Sequence, residues 1–132
     1  MTVQAIRVST PPAILVADDD ETIRGSVADI LRLAGYAVTE AVDGEIALTL
    51  LGSNRFDALV LDNRMPRLDG MAVLAAAENP PPAVIMSGND LLPGPRKDLA
   101  IKGIGYLHKP VEPEHLLDAV ATAVGRSRRS TA

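Results

Sequence analysis

Short apolar runs alternate with amphipathic stretches along the chain. The apolar runs are AILVA (13–17), YAVTEA (36–41), DALVLD (57–62), AVIMS (83–87) and IGYLHK (104–109). Runs of this length and composition predict β-strands, most of them apolar enough to be covered on both faces. Between the runs, apolar side chains recur at the spacing of one helix face. This repeated order of strand then helix predicts an α/β fold, (βα)5, with an open, doubly wound, mostly parallel sheet.

The helical stretches have recognisable starts and stops. The first runs to Gly35, the second begins after Asp43, the third covers Asp69 to about residue 77, and the last has Pro113 in its first turn. Between residues 88 and 103 the chain reads GNDLLPGPRKDLAIKG. Because proline lacks the backbone donor that a helix interior needs, the fourth helix should begin late, near Pro95 or Arg96, and be short.

Several predicted strands end in residues that carry chemistry. Strand one leads into Asp18 and Asp19, strand three ends at Asp62, strand four at Ser87 and strand five at Lys109. Ligands of open α/β sheets bind beyond the carboxyl ends of the strands. We therefore expect these side chains to converge on one site.

Carboxylates placed together in this way need a cation. Two unit charges about 4 Å apart repel by roughly 4 kcal/mol at an effective dielectric constant near 20. Mg²⁺, or Mn²⁺ in its place, suits oxygen ligands and commonly takes one or two carboxylates together with phosphate oxygens. The pattern predicts a divalent metal site for phosphoryl chemistry, with the ammonium of Lys109 and the hydroxyl of Ser87 stabilising phosphoryl oxygens.

Composition narrows the setting. The 132 residues fit one domain, and 47% hydrophobic with 23% charged residues is typical of a globular protein. The absence of cysteine excludes disulfides and thiolate metal sites, and no apolar run approaches the length of a membrane span. The net charge of −4 argues against general nucleic-acid binding. We expect a cytoplasmic protein with an irregular segment at 1–11, one domain at 12–125, and a tail or linker at 126–132.

Four motifs together resemble the receiver domain of bacterial two-component response regulators. They are ILVADDD, LVLDNRMPRLDG, VIMSG and YLHKP, and the likeness spans about residues 12–125. The resemblance implies a flavodoxin-like sheet with strand order 2-1-3-4-5. It implies a phosphorelay domain that takes a phosphoryl group from a sensor histidine kinase or phosphotransfer protein and slowly hydrolyses it, without being an enzyme in the ordinary sense.

The same resemblance implies a role for each site residue. Asp62 would be the phosphoacceptor and a metal ligand. Asp19 would bind Mg²⁺ directly, Asp18 through water, and Arg64 through its backbone carbonyl.

Further residues would bind the phosphoryl group and transmit its presence. By resemblance, Ser87, Gly88 and Lys109 surround the phosphoryl oxygens. Movement of Ser87 would let Tyr106 turn inward, changing the surface made by the fourth helix, fifth strand and fifth helix. That surface would signal to an effector domain or a downstream protein, or would form a homodimer.

Three residues beside the site are candidates for tuning the lifetime of the phosphoryl group. They are Asn63, Arg64 and Asn89, which could orient the attacking water.

Two alternatives stay open at this point. DDDET also matches the D-x-D-x-T motif of haloacid-dehalogenase-like phosphatases, with Asp18 as nucleophile and Asp20 as acid and base. A receiver-like interaction module that is never phosphorylated is the other. Within the main interpretation, Asp20 and Glu21 are helix-start residues rather than ligands.

Overall fold

The centre of the protein is one sheet of five parallel strands. The computed structural model describes residues 10–88 and 103–130. The strands are β1 (Ala13–Ala17), β2 (Ala37–Ala41), β3 (Ala58–Asp62), β4 (Ala83–Ser87) and β5 (Gly105–His108). They pair in parallel in the order β2-β1-β3-β4-β5. The predicted flavodoxin-like α/β sheet with order 2-1-3-4-5 is confirmed.

Four helices accompany these strands within the described ranges. They are α1 (Glu21–Leu33), α2 (Gly44–Ser53), α3 (Gly70–Ala76) and α4 (Pro113–Ser130). Asp20, Asp43 and Asp69 stand just before the first three, and each side chain accepts a hydrogen bond from the backbone N–H three residues later. Such a cap stabilises a helix by about 1 kcal/mol. The predicted starts of these helices, including the capping role of Asp20, are confirmed.

The two faces of the sheet are covered by different helices. On one face α1 and α4 bury Leu31 and Leu116, and on the other α2 and α3 bury Ala47 and Val73. Every residue of β3 and of β4 is buried, as expected for strands covered on both faces, whereas the edge strand β2 alternates. Residues at the carboxyl ends of the central strands therefore stand on a tightly packed base.

Two predictions concern the segment after β4 and the end of the last helix. The predicted late, short fourth helix falls on residues 89–102, outside the described residues. α4 is the helix predicted as the fifth, and it continues beyond residue 125 to Ser130, into the segment predicted as a tail. The division into 1–11, 12–125 and 126–132 stays a prediction. Among the described helices, none combines the length and apolar character needed to cross a membrane.

Candidate metal centre

Three carboxylates meet beyond the carboxyl ends of β1 and β3. Asp18 and Asp19 follow β1, and Asp62 is the last residue of β3. Each offers an oxygen, and these oxygens all lie within 4.8 Å of one another. Asp18 is completely buried and Asp62 is 5% exposed, whereas Asp19 is open to solvent. The site is an acidic pocket with two carboxylates at its base and one at its rim.

Lys109 supplies a cation to this pocket, as the strand ends predicted. Its Nζ lies 3.1 Å from Asp18 Oδ2 and 3.0 Å from Asp62 Oδ1. Lys109 follows β5, which is separated from β3 by β4, so its side chain crosses the end of β4 to reach both acids. One ammonium among three carboxylates leaves an excess of negative charge.

Backbone contacts hold the two buried carboxylates in place. The N–H of Asp20 donates to Asp18 Oδ1 at 2.9 Å. The N–H of Arg64 donates to the carboxylate of Asp62. Gly70, at the start of α3, packs so closely that an added Cβ would lie 2.6 Å from the Asp62 carbonyl oxygen. The loop between β3 and α3 is therefore folded tightly back on Asp62.

Ser87 and Gly88 complete the edge of the pocket on the β4 side. Ser87 ends β4 and is 3% exposed, and its carbonyl accepts the N–H of Lys109 at 2.8 Å. A Cβ added to Gly88 would be 4.0 Å from Lys109 Cδ, which is ordinary contact. The predicted convergence of strand ends is confirmed, while the roles of Ser87 and Gly88 toward a phosphoryl group stay predictions.

Arg24 is a second cation beside the pocket, and the sequence pattern did not reveal it. It lies in the first turn of α1, and its side chain is only 12% exposed. Nη1 donates to the backbone carbonyl of Asp18 at 2.9 Å, and Nε pairs with Glu40 Oε1 at 3.1 Å. In the sequence it is one arginine on an amphipathic helix, which is ordinarily a solvated position. Its partners identify it as a brace between β1, α1 and β2.

Burial has the largest effect on the ionisation of the cluster. It raises the pKa of Asp62, and the charge of Asp18 adds to this, whereas contacts with Lys109 and the Arg64 N–H only partly oppose the rise. Burial alone would lower the pKa of Lys109, but its hydrogen bonds to Asp62 and Asp18, with their charges, raise it. Both directions show a site that favours added positive charge.

The donor set fits a hard divalent cation. The three carboxylates offer only oxygen, the ligand that Mg²⁺ and Mn²⁺ prefer. A cation held by Asp18, Asp19 and Asp62 would oppose both causes that raise the pKa of Asp62, the burial of its charge and the neighbouring charge of Asp18. The backbone carbonyl of Arg64 stays a predicted further ligand.

Of the remaining predicted site residues, three lie in the described part of the chain and one lies outside it. Asn63 and Arg64 come directly after β3, the first half-buried and the second exposed. Tyr106 is half-buried in β5. Asn89 lies outside the described residues, so its position relative to the cluster stays untested.

A large cavity of about 820 Å³ lies at the opposite end of the sheet from the carboxylates, where the strands begin. It is lined by residues that precede β3, β4 and β5, among them Phe56, Pro82 and Ile104. It contains none of the carboxylates and is separate from the candidate metal centre.

Comparison with known proteins agrees with this geometry. The family described as the response regulator receiver domain matches residues 14–121. The chain belongs to this family and is therefore a receiver domain of the two-component type, as its four motifs implied.

The curated relatives are longer proteins. The transcriptional regulatory protein PrrA of Mycobacterium tuberculosis is 40% identical over 126 residues, which cover 93% of this chain and 54% of PrrA. The response regulator MprA of Mycobacterium avium is 37% identical over 118 residues, covering 87% of this chain and 52% of MprA. The chain spans about half the length of these relatives.

Solved structures of similar domains share the fold. The receiver domain of the Francisella response regulator 1452 has 32% identity and a TM-score of 0.78, covering 88% of this chain and 98% of that one. A CheY-like response regulator receiver domain protein from Methanospirillum hungatei has 25% identity and a TM-score of 0.81, covering 92% and 99%. In both comparisons nearly the whole of the solved chain is matched.

We predict that Asp62→Asn raises the free energy of unfolding of the metal-free protein at pH 7 by about 1 kcal/mol. The pKa of Asp62 in the folded state lies above the value of 3.8 for an ordinary aspartate, so the ionised carboxylate costs stability above its folded pKa. That cost disappears as the pH falls toward the unfolded value. Urea unfolding in EDTA should therefore show a gain at pH 7 that shrinks near pH 4.

Asp20→Asn is the matched control for this substitution. It removes one exposed carboxylate, keeps an amide oxygen for the cap of α1, and should change stability little. A loss of stability at pH 7 in Asp62→Asn would contradict the assigned direction of the charge effect.

Proposed function

We propose that this receiver domain accepts a phosphoryl group on Asp62 from a phosphohistidine of a sensor histidine kinase or phosphotransfer protein, in a reaction that depends on Mg²⁺ or Mn²⁺. The observation that carries the proposal is the contact of 3.0 Å between the buried Asp62 carboxylate and the Lys109 ammonium, inside a cluster of three carboxylates. Membership of the receiver family supports the same function. The chain's own chemistry is then limited to phosphoryl transfer and hydrolysis.

The chemistry of transfer assigns a task to each side chain. An oxygen of Asp62 attacks phosphorus, a P–O bond forms, the P–N bond breaks, and the imidazole leaves with the electron pair. The transition state is loose, with charge spread over three equatorial oxygens, so positioning and electrostatic stabilisation provide most of the catalysis. We assign one oxygen to Lys109, which already lies within hydrogen-bonding distance of Asp62, and another to the Ser87 hydroxyl beside Gly88.

The metal would be held by Asp18, Asp19, Asp62 and the Arg64 carbonyl. When bound, it supplies positive charge that offsets the carboxylates and the incoming phosphoryl group. Lys109 cannot perform this task alone, because it is shared between Asp18 and Asp62.

The phosphorylated domain would then signal through Tyr106 in β5. The strand register sets Tyr106 opposite Ile85, two residues before Ser87. Movement of Ser87 toward the phosphoryl group would change the packing around the half-buried ring. We propose that the ring turns inward, altering the surface formed by the predicted fourth helix, β5 and the last helix.

The partners follow from this chemistry. We propose a cytoplasmic location, which the absence of cysteine fits, and an output through an effector domain or a downstream protein. A homodimer formed through the surface of the predicted fourth helix, β5 and the last helix is the other form of output. We expect this domain to bind neither nucleic acid nor membrane directly. Asn63, Arg64 and Asn89 are the candidates for setting the phosphoryl lifetime.

Intact mass after incubation with acetyl phosphate tests the phosphorylation. We expect one phosphoryl adduct on the wild type with Mg²⁺ and none in EDTA, because the acidic pocket needs a cation before it can accept a further anion. Asp62→Asn should form no adduct, while the control Asp20→Asn should react like the wild type.

Other results would point to the alternatives. An adduct on Asp18 instead of Asp62 would favour the phosphatase chemistry of the DDDET motif. No adduct and no Mg²⁺ binding would leave a receiver-like interaction module.

The switch has a separate optical test. The chain has two tyrosines and no tryptophan, so Tyr36→Phe leaves Tyr106 as the single tyrosine fluorophore. We expect acrylamide quenching of Tyr106 to fall when beryllium fluoride and Mg²⁺ occupy the site, because the ring becomes less exposed. The double variant Tyr36→Phe, Asp62→Asn should show no change. Unchanged quenching in the Tyr36→Phe protein, which retains Asp62, would contradict the proposed movement of the ring.

A further inference from the structure

We propose that Arg67 is a positioning residue for the metal and phosphoryl site, acting through an ion pair with Asp43 that fixes the loop between β3 and α3. This inference deepens the proposed function and rests on it. Arg67 touches none of the three clustered carboxylates, so any effect on the site has to pass through the loop.

The ion pair joins two loops that are distant in sequence. Arg67 Nη1 lies 2.8 Å from Asp43 Oδ2, across 24 residues, and Nε lies 3.5 Å from Glu45 Oε1. Asp43 is 6% exposed, and its other oxygen caps α2 by accepting the N–H of Ile46 at 2.8 Å. A buried carboxylate needs such partners, and Arg67 is the cation that meets it.

Arg67 has a backbone conformation that arginine adopts only at a cost. Its φ is 71°, in the left-handed region that glycine adopts freely and other residues adopt at a cost. A glycine would therefore suit the turn better than an arginine. What arginine adds is the guanidinium, so the side-chain contact with Asp43 is the feature that offsets an unfavourable backbone.

The two loops also touch through their backbones. A Cβ added to Gly44 would clash with the carbonyl of Leu68, so Gly44 and Leu68 are in close contact. The Arg67 ion pair and this contact form one anchor for the loop. The second anchor is Gly70, packed on the carbonyl of Asp62.

Between Asp62 and this pair of anchors lies Arg64, whose N–H donates to the Asp62 carboxylate. Its carbonyl is the proposed backbone ligand of the metal. If the Arg67 anchor is released, the segment from 63 to 68 keeps the buried side chain of Met65 but loses its link to the start of α2. The Arg64 peptide should then lose its defined position beside Asp62.

The direction of the change in Mg²⁺ affinity distinguishes a positioning role of Arg67 from an effect of its charge alone. Loss of a positive charge near an acidic site should strengthen Mg²⁺ binding, since the cation meets less repulsion. Loss of a positioning contact should weaken it, as removal of outer-shell partners does by about ten-fold or more. Arg67→Gly relieves the backbone cost and removes only the side chain, so it is the variant least expected to unfold.

The experiment compares Mg²⁺ dissociation constants, measured by titration calorimetry, for the wild type, Arg67→Gly, Arg67→Lys and the control Arg55→Gly. We expect binding to be weaker by about ten-fold in Arg67→Gly, partly restored in Arg67→Lys, and unchanged in Arg55→Gly, an exposed arginine at the opposite edge of the sheet. Equal or tighter binding in Arg67→Gly would overturn the inference.

A second readout needs no metal. Hydrogen exchange of the Arg64 amide in EDTA should be faster in Arg67→Gly than in the wild type and unchanged in Arg55→Gly. If the wild type bound no Mg²⁺, the proposed function would fail, and this exchange rate would still decide the positioning role. An unchanged Arg64 exchange rate in Arg67→Gly would refute it.

Discussion

The contact of Lys109 with Asp18 and Asp62 is the interaction on which the site depends. It places one ammonium between two carboxylates that the sheet has almost completely removed from water. Two such carboxylates at about 4 Å would repel by roughly 4 kcal/mol at an effective dielectric constant near 20, so the lysine is needed to fold the pocket. It is not enough to neutralise it, because Asp19 adds a third carboxylate. The folded pocket therefore keeps a net negative charge that a divalent cation can neutralise.

The rest of the fold serves to maintain that arrangement. The fully buried strands β3 and β4 hold Asp62 and Ser87 on a rigid base, and the parallel sheet brings the end of β5 to the same edge. Arg24 braces the Asp18 segment from the β2 side, and Arg67 ties the segment after Asp62 to the start of α2. Both arginines contact backbone or neighbouring acids rather than the clustered carboxylates. They can thus hold the pocket without filling it with further positive charge.

The pattern of apolar runs was sufficient to predict an open, mostly parallel sheet, because buried parallel strands differ clearly in composition from amphipathic helices. The strand order 2-1-3-4-5 came from the resemblance of the four motifs to receiver domains. Asp43 and Asp69, each just before an apolar stripe, marked the helix starts for the same local reason. The strand-end rule then brought Asp18, Asp62 and Lys109 together. Arg24 and Arg67 could not be found in this way, since their acidic partners lie 16 and 24 residues away and meet them only after the sheet has formed. The left-handed backbone of Arg67 is likewise a consequence of loop packing that no local pattern predicts.

We propose that the pocket is a cation site because its carboxylates outnumber its cations. Direct titration of the metal-free protein with Mg²⁺ by calorimetry tests this claim most simply, with Asp62→Asn alongside. We predict one bound Mg²⁺ per wild-type chain and markedly weaker binding in the variant, which has one carboxylate fewer. Absence of binding to the wild type, or equal binding by both proteins, would show that Asp62 and its neighbours do not form a Mg²⁺ site.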